Sequence, residues 1–371
     1  MTNLKCVDVV VIGGGIAGLS CAAEISTTAS VALIEAESQW GYHSTGRSAA
    51  VTIPSSGGMV INRLINDSLN FLSTPPQALE VDSFLAPRGQ LLVATAEQEP
   101  QMQDYLDRVQ GVTECTVDEA IKQVPILRRE SIQHAAIETA VQDIDVDLLL
   151  QKRSKICNEN GAQFFRSSRI KNLERIGDIW KICTQDGNIQ TPVIVNAAGA
   201  WADEIARIAG LQPIGLTPYR RSAALIQIQE NYNLSQWPVF SSVLVDWYAK
   251  PVSGKLMVSP AEEIKVEPHD AFVDDLVLAE GIDRYQQMVN INVTRVEHSW
   301  AGLRTFAPDR VPVVGYDPRV SGFFWLAGQG GYGIETSPAL SIIAAALLTG
   351  KDLSPEYKKL SSLMKPDRFI K

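Results

Sequence analysis

The sequence predicts an α/β protein in which a mainly parallel sheet is interrupted by an inserted domain built on an antiparallel sheet. Three observations predict it. VDVVVIGGG is a short apolar run entering a glycine turn, as a buried parallel strand does. The same strand–turn–helix texture returns in TPVIVNAAGAWADEIARIAG and in GFFWLAGQGGYGIETSPALSIIAAALLTG. Between these two, residues 213–300 alternate, carry aromatics and break at proline or glycine, as antiparallel strands do.

Taken in order, the first strand runs into the small-residue helix GIAGLSCAAEIST, and the second strand, VALIEAE, completes a βαβ unit. Residues 55–142 read as short helices with one strand, RGQLLVATA. DIDVDLLLQKRS reads as a helix start. Its Asp143, Asp145 and Asp147 lack the glycine and glutamate of a calcium loop and suit the positive end of a helix. The helix after TPVIVN ends at Gly210. RRSAALIQIQ, WPVFSSVLVDWYAKP and KLMVSP supply the antiparallel strands. In the last unit Ser337-Pro338 caps the helix or marks its first turn, and the helix stops near Gly350. Residues 1–54, 143–212 and 301–371 therefore form one discontinuous domain, and residues 55–142 and 213–300 form the other.

Composition narrows the function. The chain has 371 residues, 45% hydrophobic and 20% charged, enough for a sizeable core. Its net charge of −9 argues against a nucleic-acid or acidic-membrane partner. No apolar run approaches the roughly 20 residues of a spanning helix, and no secretory signal is expected. The five cysteines, Cys6, Cys21, Cys115, Cys157 and Cys183, are scattered without a CxxC pair. They read as reduced thiols of a cytoplasmic protein, and neither they nor the four histidines form a metal cluster.

Gly13-x-Gly15-x-x-Gly18 follows a strand and opens a helix, and Glu35 ends the next strand. Gly13 permits the tight turn, Gly15 lets the backbone approach a pyrophosphate, and Gly18 lets helix and strand pack closely. Ile16 and Ala17 carry N–H groups at the positive helix start. Glu35, with Ala36 beside it, accepts from a ribose. This motif binds a dinucleotide and leaves NAD and FAD open. A nicotinamide dehydrogenase would usually continue with further βα units, whereas here the loop GYHSTGRSAA follows. Its Ser44, Thr45, Arg47 and Ser48 suit phosphate or ribityl oxygens, while Ala49 and Ala50 let a flat ring lie close.

VVIGGGIAGLS, GYHSTGRSAA, VIVNAAGAW and GQGGYGIETS together resemble the flavin-dependent D-amino-acid oxidase and dehydrogenase superfamily, which includes glycine oxidase and sarcosine oxidase. VPILRRE, DIDVDLL, YRRSAALI, YAKP and EHSWAGLR extend the resemblance through nearly the whole chain and look most like bacterial D-arginine dehydrogenases. The resemblance implies a Rossmann-like FAD-binding domain with an inserted substrate domain, and oxidation of an amino acid at its α-carbon. It places Gly199 and Trp201 at the cofactor and Ile170 at the adenine. It brings Gly330, Gly331, Tyr332, Gly333 and Ile334 to the flavin's N1 and C2 carbonyl. The cysteine that holds flavin covalently in the sarcosine oxidase branch corresponds to Gly302, which implies non-covalent FAD.

Amino-acid oxidation of this kind needs orientation more than side-chain chemistry. By the same resemblance Arg304 clamps the substrate carboxylate and Tyr248 donates a hydroxyl to it. Arg221 is a further pocket residue, although Arg220 beside it competes for that role because only one of the pair can face inward. His43 and His298 read as structural. Where the D-arginine enzymes carry a glutamate for the guanidinium, this chain has Gln90, and Val51 and Ser56 replace two closing residues. The reading is therefore a neutral D-amino acid, with 2-hydroxy acids and N-methyl amino acids as alternatives, and a non-catalytic flavoprotein subunit as another. The electron acceptor stays open among a quinone, a carrier and O2.

Overall fold

The computed structural model describes residues 5–228 and 232–370. Expectations touching residues 1–4, 229–231 and 371 lie outside them, including Gln229 at the end of RRSAALIQIQ.

A six-stranded sheet runs in the order Gln163–Phe165, Val31–Ile34, Val9–Ile12, Val193–Asn196, Phe323–Ala327, Val313–Tyr316. All neighbours are parallel except the last pair. Alternation explains the apolar runs. Val9 and Val11 pack with Leu19, Leu149 and Ile343 on one face. Val10 and Ile12 pack with Trp180, Ile182 and Ile205 on the other. Every side chain of Val9–Ile12 is buried, so no position can be polar.

The last helix spans Gly333–Thr349, and Pro338 lies inside it. The expected start at Ser337-Pro338 is therefore several residues late. Pro338 offers no N–H, and Ser337 Oγ donates to the Ile334 carbonyl at 2.9 Å in its place. The helix stops at Gly350, which takes a φ of +67°. DIDVDLLLQKRS forms the helix Val146–Glu159, with Asp145 accepting from Leu148 N at 2.9 Å.

The second large sheet runs Gln329–Gly330, Val296–Phe306, Thr217–Ile226, Lys255–Ser259, Tyr248–Val252, Val239–Ser242, Gln90–Ala94, His134–Glu138, Val112–Cys115. Neighbours are antiparallel except Val239–Ser242 with Gln90–Ala94. Two expectations change here. Residues 55–142 hold four complete strands and the start of a fifth, Gln142–Ile144, not one. Leu85–Pro87, Val112–Cys115 and His134–Glu138 were hidden because their composition is mixed and sheet pairing alone makes them strands. The expected boundary at 300/301 also falls inside Val296–Phe306, which pairs along its length with Thr217–Ile226. Arg304 thus sits on a strand of the antiparallel sheet.

The register sorts this sheet into two faces. Leu91, Phe240, Ala249 and Val258 fill an apolar cluster on one side. Gln90, Ser241, Tyr248, Ser259, Arg221 and Arg304 share the other. That polar face meets the ends of the parallel strands.

Candidate active site

A groove runs from the first glycine turn to the polar face of the antiparallel sheet. At its first end Gly13 takes a φ of +110°, and a Cβ there would lie 2.3 Å from the Ala197 carbonyl oxygen. Only glycine fits this turn. Gly18 does not line the groove. It allows helix and turn to touch, since a Cβ on it would lie 1.9 Å from Gly13 O. Glu35 accepts from Gly14 N at 2.6 Å and from Glu37 N at 2.8 Å, which fixes its carboxylate beside the turn. Gly15, Ile16, Ala17, Glu35, Ala36 and Ile170 line the groove here, so the positive end of the helix Ile16–Ile25 faces it.

The loop 41–50 forms the next stretch of wall. Ser44, Thr45, Arg47, Ser48 and Ala49 all line the groove, yet several polar ends are committed within the protein. Thr45 Oγ1 accepts from Ile16 N at 3.1 Å, an N-cap supplied from a distant loop. Ser44 Oγ donates to Leu303 O at 2.6 Å, and Ser48 Oγ accepts from Ala50 N at 3.0 Å. Arg47 departs most from expectation. Its guanidinium donates to Asp270 at 2.5 Å, Ala271 O at 3.0 Å and Ala301 O at 3.1 Å, so it fastens the loop instead of reaching for phosphate. His43 packs against Trp201 and contacts Glu37 at 3.1 Å. His298 stacks on Trp300 and does not line this groove.

Gly199, Trp201, Gly330, Gly331, Gly333 and Ile334 close the middle of the groove. Gly330 has a φ of +58°, and a Cβ would lie 2.0 Å from the Phe306 ring. Tyr332 precedes the helix without lining the groove. Ser168 Oγ and Gln329 Nε2 belong to groove-lining residues and are buried with no partner among the described residues. Such atoms call for a polar guest. With the glycine turn, the helix start and Glu35, they make a cradle that fits a dinucleotide bearing a polar ring system.

At the far end Arg304, Arg221 and Tyr248 come together. The Arg304 backbone pairs with Tyr219, while its guanidinium makes no hydrogen bond or ion pair with any described residue and lies in the field of buried Glu335. Asp309, a partner conceivable from the sequence, is bound at 2.8 Å to Arg368. Arg221 meets Glu263 at 3.3 Å. Burial, and then the positive field of Arg304, hold its guanidinium below the usual range. Arg220 points to the other face, toward Asp274 at 3.3 Å, which resolves the choice between the neighbours. Gln90 shares the sheet face but does not line the groove. Two strand spacings separate its strand from that of Tyr248, roughly 10 Å. Val51 and Ser56 do not line it either.

Two buried residues escaped the sequence reading. Glu335 accepts from Ile53 N at 3.0 Å. Burial pushes its carboxyl up to about 8, against the pull of Ile53 N, Thr52 and Arg304. Lys250 lies two positions after Tyr248 on the same strand. The alternation of YAKP was the available signal for Lys250, and the position of Glu335 just after the glycine turn was the signal for Glu335. Among the described residues no group of acids, histidines and cysteines could hold a metal, and no helix is long and apolar enough to cross a membrane.

Comparison with known proteins agrees with this geometry. A family model described as FAD dependent oxidoreductase matches residues 8–347. Glycine oxidase from Geobacillus kaustophilus is 22% identical over 369 residues, covering 94% of this chain and 95% of that one. The crystal structure of that species' glycine oxidase superposes with a TM-score of 0.81 at 20% identity, covering 94% and 96%. L-proline dehydrogenase from P. horikoshii gives 0.79 at 20% identity, covering 99% and 98%. D-amino acid dehydrogenase 3 from Mesorhizobium japonicum is 29% identical over 202 residues, 52% of this chain and 48% of that one. The structural likenesses speak for the shared fold.

Proposed function

The chain belongs to the DAO family of FAD-dependent oxidoreductases, and from that premise we propose that it oxidises the α-carbon of a D-amino acid with an uncharged side chain. The product is the imino acid, which water hydrolyses to a 2-oxo acid and ammonia. The chemistry that bound FAD supplies is acceptance of two electrons and a hydrogen from the substrate. The Gly13 turn, Gly15–Ala17, Glu35 and the groove-lining Ser168 and Gln329 would hold it. No cysteine lines the groove among the described residues, in keeping with non-covalent binding.

One observation carries the reading: Arg304 is a groove-lining guanidinium with no partner of its own. A planar cation of this kind matches a carboxylate as a two-pronged pair. Arg221 converges on the same place, and the Tyr248 hydroxyl offers a further donor. The substrate amine gives its proton to solvent, so no side-chain base is required. An uncharged side chain follows from the neighbouring wall. Ala223 and Met257 line it, and neither is a carboxylate. A cationic side chain there would be left unpaired. The partial match to a D-amino acid dehydrogenase supports the D configuration.

The test is anaerobic mixing of the holoenzyme with D-amino acids, their L forms, N-methyl amino acids and 2-hydroxy acids while flavin absorbance is followed. Neutral D-amino acids should bleach the flavin fastest. Faster bleaching by hydroxy acids, by L forms or by D-arginine would overturn the reading.

A further inference from the structure

Lys250 is almost wholly buried, with 8% of its side chain exposed. Its ammonium donates to two carbonyl oxygens and pairs with a carboxylate. Nζ lies 2.6 Å from Ala49 O, 3.4 Å from Ala50 O and 2.7 Å from Asp143 Oδ1. Asp143 already has a cation, because Arg88 Nε donates to its other oxygen at 2.7 Å. The distinctive work of Lys250 is therefore its grip on the two carbonyls. Burial draws its ammonium below the usual range, and Asp143 opposes that shift.

Those carbonyls end the loop that walls the groove. Ala49 lines it, and Ala50 takes a φ of +53°, a left-handed conformation that a side-chain-bearing residue holds only when its surroundings fix it. Ile144 N secures Ala50 O from one side at 2.9 Å, and Lys250 secures it from the other. Earlier in the loop the ties run elsewhere, to the strand of Arg304: Ser44 to Leu303 O, Arg47 to Ala301 O, and Trp300 to Arg47 O. The loop is thus fastened at its middle to the Arg304 strand and at its end to the Tyr248 strand.

We propose that Lys250 is a positioning residue that fixes the Ala49–Ala50 end of the cofactor loop to the strand of Tyr248, and so sets the gap between the cofactor wall and the carboxylate pocket. The proposal rests on the reading of Arg304 and Tyr248 as that pocket. Its consequence is kinetic. A bound pair displaced by about 1 Å loses on the order of 100-fold in rate, while a clamp left intact keeps its affinity.

The experiment replaces Lys250 by methionine, which keeps the length and removes the donors. Asp143→Asn removes the ion pair and spares the carbonyl contacts. Melting temperature, FAD dissociation constant by fluorescence titration, and anaerobic flavin bleaching against substrate concentration are measured on each. For Lys250→Met the maximal bleaching rate should fall about tenfold or more, with half-saturation within about threefold of the parent and FAD bound about fivefold more weakly. Asp143→Asn should lose melting temperature alone. The proposal is overturned if Lys250→Met lowers only the melting temperature, or if Asp143→Asn slows bleaching equally. If Lys250→Met does not fold, Lys250→Gln, which keeps one donor, is read by the same criteria. FAD affinity does not depend on which substrate is used, so it separates failure of this proposal from failure of the proposed reaction.

Discussion

The two ends of the groove are built in opposite ways. At the glycine turn, polar groups are satisfied at short range. Gly13 N reaches Ile34 O, Gly14 N reaches Glu35, and Glu37 N reaches the other oxygen of Glu35. At the sheet end, the Arg304 guanidinium has no hydrogen-bond or ion-pair partner among the described residues, and Arg221 and Tyr248 line the groove beside it. Their side chains come from strands far apart in the chain. The first end is a finished structure that a large, invariant cofactor would enter. The second leaves a cation unpaired, the feature on which the proposed carboxylate clamp rests.

That contrast can be broken by substitution. The largest effect should come from Gly13→Val. A Cβ at this φ meets the Ala197 carbonyl oxygen at 2.3 Å, so the turn must move away from the next strand. The purified protein should carry no visible flavin absorbance, and full flavin content would refute the fit of the turn. Arg304→Met should do the reverse. FAD should stay while kcat/KM falls about 100-fold, the equivalent of losing charge-assisted hydrogen bonds worth roughly 1.5–3 kcal/mol each. A variant that instead loses FAD and keeps normal turnover would make Arg304 structural. Tyr248→Phe should cost about tenfold in the same ratio, because it removes one neutral donor.

A subtler effect sharpens the comparison through Glu335, buried one residue beyond the groove-lining Ile334. Its folded-state carboxyl is raised from 4.5 to about 8, with Arg304 the charged group opposing the rise. Between those values the unfolded chain is ionised while the folded chain keeps the proton. This group therefore makes stability fall as pH rises through that window, by up to roughly 1 kcal/mol per pH unit. Glu335→Gln mimics the protonated acid and should flatten the decline of melting temperature between about pH 5.5 and 7.5. An unchanged slope would show that Glu335 is ionised throughout.

The fold was legible where its signals are local. The three strand–glycine-turn–helix units stand side by side in the parallel sheet as their sequences suggested. Asp145 caps its helix, and Gly350 ends the last one. Strands such as His134–Glu138 and Val112–Cys115 were not legible, because neighbouring strands impose their conformation. The site divides in the same way. The glycine motif and Glu35 could be found by spacing alone. The resemblance led to Arg304, Tyr248 and Arg221. Gln90 was placed too near the pocket because sequence order does not show how many strands intervene.

What the sequence alone determined was a parallel-sheet dinucleotide motif and its alternating strands, since glycine tolerance, helix capping and strand periodicity act over a few residues. Tertiary structure alone decided that Arg221 and not Arg220 faces the groove, that Arg47 fastens its loop, and that Lys250 and Glu335 tie down residues Ala49, Ala50 and Ile53. Those outcomes depend on register between strands dozens of residues apart, where a shift of one residue turns every side chain to the opposite face.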